Sequence, residues 1–148
     1  MPQRSGAASA GPRGDGAPGQ PRAGSIRDLA GVLGVLVLSA AVAVLALTTA
    51  RGVTPLGDDR YATEFVSNWW WLAFLLAPLP AVCARRRPST AAAAASALVV
   101  PQVVAAAVCV ARYRASGWGD GLEVLSFLHP VLLTVVTSGL VAALSRRA

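Results

Sequence analysis

Residues 29–50 read LAGVLGVLVLSAAVAVLALTTA, a run of 22 residues without a charge. At about 1.5 Å per residue, a helix of this length reaches roughly 30 Å, the thickness of a bilayer's hydrocarbon core. The apolar residues go all the way round such a helix. A soluble bundle would instead show an amphipathic stripe. Arg51, Gly52 and Pro55 end the run. Its Arg-bearing front and Thr48-Thr49-Ala50 loosely suggest a cleavable signal, but its apolar core exceeds the usual roughly 7–15 residues. The reading is a retained membrane helix.

Three more apolar runs follow. Residues 65–84 are closed by Arg85, Arg86, Arg87 and Pro88, and residues 91–111 by Arg112. Residues 122–144 are closed by Arg146 and Arg147, with Glu123 as the one charge, near the start. Lipid offers no hydrogen-bond partner to the backbone, so each run must satisfy its own amides as a helix. The expected fold is all-α: a four-helix transmembrane domain over 25–148, with helices at about 29–50, 65–84, 91–111 and 122–144. Residues 1–24 contain six Gly, four Pro and five Ala, with Arg4, Arg13 and Arg22, and no Val, Ile, Leu, Phe, Tyr or Trp. They cannot bury enough apolar surface to offset ordering, and read as a disordered tail.

Composition agrees. The chain is 55% hydrophobic and 14% charged, against about a quarter charged in ordinary soluble domains. All 13 basic residues are Arg and the net charge is +6. They flank apolar runs, which points to a membrane and away from nucleic acid. Abundant Ala, Arg, Gly and Pro without Lys suggest a GC-rich bacterial genome, hence a bacterial plasma membrane.

Charge sets the expected orientation. With the amino terminus inside, nine Arg are cytoplasmic, and four (Arg51, Arg60, Arg112 and Arg114) are outside. The positive-inside rule therefore places both termini in the cytoplasm. Tyr61, Trp69, Trp70, Trp71, Tyr113 and Trp118 then gather at the outer interface, where amphipathic rings are satisfied at headgroup level. Three consecutive helical tryptophans spread over roughly 200°, so at least one ring must face the protein interior.

The sequence holds few groups fit for chemistry. Cys83 and Cys109 fall at opposite membrane faces, too far apart for a disulfide. One His and two separated Cys do not make a metal site. No cofactor is expected. Four-helix membrane thiol oxidoreductases need a C-x-x-C that is missing here. Small four-helix drug exporters need an acid in the first membrane helix, where residues 29–50 have none. The likeness to both is architectural only, and catalysis by this chain alone is not expected.

Polar residues within the expected spans are Ser39, Gln102, His129, Thr134, Thr137 and Ser138. Buried polar groups are costly in lipid and therefore informative. Gln102 and His129 lie roughly 13 and 10 Å from the outer ends of adjacent antiparallel helices, within reach of a mutual hydrogen bond. Pro101 and Pro130 would free carbonyls near Ala97 and Ser126. Gln102 and His129 would then either make a plain packing hydrogen bond between bent helices or, with Glu123 at the mouth and Trp70 among the outer aromatics, line an outward-facing polar vestibule. Two functions follow as expectations. The first is a non-catalytic accessory or scaffold subunit, partnered by membrane lipid and by another membrane protein or a second copy. The alternative is a permease-like protein that binds a small molecule or lipid. Spacings such as Ser39-x-x-x-Ala43, Ala30-x-x-x-Gly34 and Gly139-x-x-x-Ala143 would let helices approach closely.

Overall fold

A computed structural model describes residues 23–57, 60–84, 88–117 and 121–146. The proposed tail, apart from Ala23 and Gly24, lies outside the described residues, as do Arg85–Arg87 and Trp118. The chain runs α1 (Ala23–Thr48), β1 (Gly52–Gly57), β2 (Arg60–Glu64), a tight 3₁₀ helix (Asn68–Leu76), α2 (Leu79–Ala84), α3 (Pro88–Ala115), a second tight helix (Leu122–Phe127) and α4 (Leu128–Ser145). Three helical stretches are long and apolar enough to cross a membrane: Ile26–Thr48, Ser89–Ala115 and Glu123–Ser145.

The expected helix over 65–84 is corrected in length and kind. It is a shorter apolar stretch, Asn68–Cys83, broken in the middle. Pro78 and Pro80 lack amide donors and sit where the tight helix gives way to α2. Three residues per turn align Trp70 with Ala73, and both face inward. The tighter coil also rises faster. The nine-residue tight helix and six-residue α2 together reach roughly 27 Å. This stretch lies antiparallel against α1. The Ser67 amide donates to the Ala46 carbonyl at 3.0 Å, near the end of α1. Cys83 Sγ lies beside Gly31, near its start.

The fourth expected helix is also divided. Pro130 occupies the first turn of α4, where a missing amide breaks no intrahelical bond. The preceding residues form the second tight helix. Residues 52–64, between the first two expected helices, form an antiparallel hairpin. Gly52 pairs with Glu64, Val53 with Thr63 and Pro55 with Tyr61, with an irregularity before Gly57↔Arg60. Val53, Thr54, Tyr61 and Thr63 favour the strand, and Pro55 is tolerated because both strands are edges. Gly52, at φ 69°, supplies the left-handed turn out of α1.

α3 is the central element and packs on every other helical stretch. Small residues allow this. Near the hairpin, Ala43 and Ala46 of α1 meet Ala105, Ala106 and Trp70. Deeper, Ala73 and Ala77 meet Val35, Leu98 and Leu133. Ser39 and Ala43 are buried, whereas Ala30, Gly34, Gly139 and Ala143 are exposed, so only the first of the three small-residue spacings enters this core. Many large apolar side chains outside these clusters point outward: Val37 is 64% exposed, Leu75 73% and Val135 63%. Apolar surface this continuous marks a surface that water does not cover.

Candidate functional site at the aromatic end of the bundle

Trp70 is the hub. Its neighbours Trp69 and Trp71 are more than half exposed, while Trp70 is buried at 8% exposure. Its indole Nε1 donates to Gln102 Oε1 at 2.8 Å. Indole is donor-only, so this bond fixes which end of the Gln102 amide faces it. Gln102 Nε2 then donates to the Ser39 carbonyl at 2.9 Å and to Ser39 Oγ at 2.8 Å. Ser39 Oγ in turn donates to the Leu98 carbonyl at 2.5 Å. That carbonyl is three residues before Pro101, one position beyond the freed Ala97 carbonyl that the sequence suggested.

His129 joins through the same tryptophan. Its ring stacks on Trp70 with centroids 4.1 Å apart and planes 15° from parallel. Trp71 and Phe74 present their rings edgewise, at 5.3 and 5.2 Å. His129 Nε2 lies 3.1 Å from the Trp70 carbonyl. A carbonyl only accepts, so Nε2 carries the proton in this bond, and Nδ1 has no partner among the described residues. The expected Gln102–His129 hydrogen bond is therefore corrected. The Trp70 residue stands between them and bonds to both.

Above this core, at the hairpin end, an open groove of about 800 Å³ is bounded by Arg51, Glu64, Phe65, Trp70, Tyr113 and Glu123, among others. Gln102 and His129 are not among its lining residues. Glu123 is not an open mouth residue either. It is buried at 8% exposure, with Oε1 3.2 Å from Arg114 Nε and Oε2 without a partner among the described residues. Glu64 Oε2 and Arg51 Nε are 4.0 Å apart, beyond hydrogen-bond range. Phe65 meets Tyr113 edge to face at 5.3 Å.

Two bonds close this end of the bundle. Thr49 Oγ1 lies 2.7 Å from Ser67 Oγ. Arg112 Nη1 donates to the Leu47 carbonyl at 2.7 Å, where a cation also suits the negative end of α1.

The structure thus gathers Trp70, Gln102 and His129 into one network and sets Glu123 on the groove that Trp70 floors. Sequence reasoning missed Ser39 as the amide's partner and Arg51 and Glu64 as groove residues. The available signal for Ser39 was its isolation as the one polar residue between Leu29 and Leu47. Among the described residues no three His, Cys, Asp or Glu converge to hold a metal. Cys83 and Cys109 are free thiols, the second lining the groove. No protein-family model, no curated protein and no solved structure matches this chain.

Proposed function

We propose that the chain is a small integral membrane protein that crosses a bacterial plasma membrane four times with both termini in the cytoplasm. In this reading it serves as a non-catalytic accessory or scaffold subunit for another membrane protein. One observation carries the scaffold reading: the side chains of Ser39, Trp70 and Gln102 are engaged with one another across α1, the first tight helix and α3. Polar groups that move ions or substrates through a membrane must be free to exchange partners. These hold a shape instead, and leave the lipid-facing sides of α1, α3 and α4 for lateral association. Gentle extraction from native membranes, after cross-linking in place, tests this. A membrane partner in fixed stoichiometry is expected. A chain that purifies alone from cross-linked membranes contradicts the subunit role.

A second reading, an outward-facing vestibule that binds a small molecule or lipid, is favoured by the groove over Trp70. Its walls carry both signs of charge beside aromatic rings.

A further inference from the structure

Glu123 is the one buried acid whose chemistry the core network does not use among the described residues. Its side chain is 6% exposed on the groove wall, and Oε2 has no hydrogen-bond partner among the described residues. A buried carboxylate oxygen without a donor is costly and calls for one. The single contact to Arg114 is made at Oε1, by a guanidinium that is itself 66% exposed. The same groove is lined by Arg51, whose side chain is 82% exposed. Phe65, Trp70 and Tyr113 line it too, and aromatic faces attract a cation. The groove therefore offers an unfilled acceptor on one residue and a solvent-facing guanidinium on another.

Among the described residues each carboxylate of the groove faces one Arg, Glu64 with Arg51 at 4.0 Å and Glu123 with Arg114, which stands outside the lining, at 3.2 Å, so a net-neutral ligand fits better than a lone cation or anion. Resting on the vestibule reading, we propose that the groove binds a primary-ammonium phosphate, the chemistry of a phosphoethanolamine group. The ammonium sits on Glu123 and the phosphate on Arg51. An ammonium with N–H donors is required, because a trimethylammonium has none to give the vacant lone pair. Guanidinium is well matched to phosphate through paired N–H donors. Oε2 is covered in the empty groove. Presenting it to the ligand takes a change of the Glu123 side-chain rotamer that gives up the Arg114 contact. The ligand's source is either a lipid headgroup or a soluble phosphoethanolamine ester.

The test uses the full chain in detergent micelles, read by tryptophan fluorescence, since Trp69 and Trp70 line the groove. Short-chain phosphatidylethanolamine, short-chain phosphatidylcholine and glycerophosphoethanolamine are titrated separately. Phosphatidylethanolamine is expected to bind about tenfold more tightly than phosphatidylcholine, the worth of one charge-assisted hydrogen bond. Equal binding of glycerophosphoethanolamine assigns the soluble source, and binding of the lipid alone assigns the headgroup. Glu123→Gln should erase the preference, and Arg51→Gln should weaken both lipids alike. Arg114→Gln, which removes the competing cation, should tighten phosphatidylethanolamine; a merely structural salt bridge predicts weakening. The proposal is overturned if the wild type does not distinguish the two lipids, or if the preference survives in a folded Glu123→Gln. Should that variant not fold, the wild-type comparison and Arg51→Gln decide.

The vestibule reading fails separately. Asn68→Cys at the groove, in a chain with Cys83 and Cys109 changed to Ser, should react with an impermeant maleimide from outside the cell. Reaction from the cytoplasmic side alone refutes the outward reading and leaves the headgroup preference to the titration.

Discussion

Trp70→Phe keeps a ring against His129 but deletes the indole N–H. Gln102 Oε1 then loses its 2.8 Å donor. Hydrogen bonds between membrane helices are worth about 0.6 kcal/mol on average and about 1.7 at most. The space left by the smaller ring adds about 1 kcal/mol, at roughly 24 cal/mol per Å³ of cavity. The expected loss is therefore about 1.5–2.5 kcal/mol, measured by reversible unfolding in mixed micelles. Gln102→Leu should cost about as much, because it strands the buried indole N–H and removes the amide's bonds to Ser39. In the double variant the two losses should fall short of additive by about 0.6–1.7 kcal/mol, the coupling of the pair. Additivity within about 0.3 kcal/mol would refute the claim that Trp70 and Gln102 act as a unit.

Ser39→Ala removes the acceptor of one Gln102 bond and the donor to the Leu98 carbonyl, and should cost about 1–2 kcal/mol in the same unfolding assay. Ala73 is fully buried where the first tight helix meets its neighbours, so Ala73→Leu should overpack the core by about 1–3 kcal/mol. Leu75→Ala, at a 73% exposed position, should leave stability nearly unchanged in micelles. A Cβ at Gly31 would lie 3.8 Å from Cys83 Sγ. Oxidation of Gly31→Cys in a Cys109→Ser chain should therefore close a disulfide, seen as a mobility shift lost on reduction.

The parts of the fold that follow from apolar length alone could be read directly. Residues 29–50 and 91–111 lie within α1 and α3 except for Thr49 and Ala50, because an unbroken uncharged run leaves the backbone few alternatives. Helix ends were less legible. α3 extends from Pro88 to Ala115, past Arg112, which closes the apolar run; a charge ends a membrane span, not a helix. The broken stretch at 68–84 was hidden because Pro78 and Pro80 announce a bend but not the tighter coil before it. The hairpin is faint in the sequence because four strand-favouring residues around a short turn are a weak signal beside long apolar runs.

The site divides along the same line. That one of three adjacent tryptophans must turn inward followed from helix geometry, and Trp70 does. Which polar residues meet depends on the angle of each helix about its axis. That angle brought Ser39 to Gln102 and placed Trp70 between Gln102 and His129, where adjacency of the two helices alone suggested a direct bond.

The central claim is that the broken stretch over 68–83 crosses the membrane along with the three long helices. Parity decides it. A fluorescent or enzymatic reporter fused after Ala148, and a second fused before Met1, are scored for exposure outside the cytoplasm. With four crossings both termini lie on one side, and the Arg distribution makes that side the cytoplasm. Termini on opposite sides of the membrane would mean that only three helices cross, and would contradict the account.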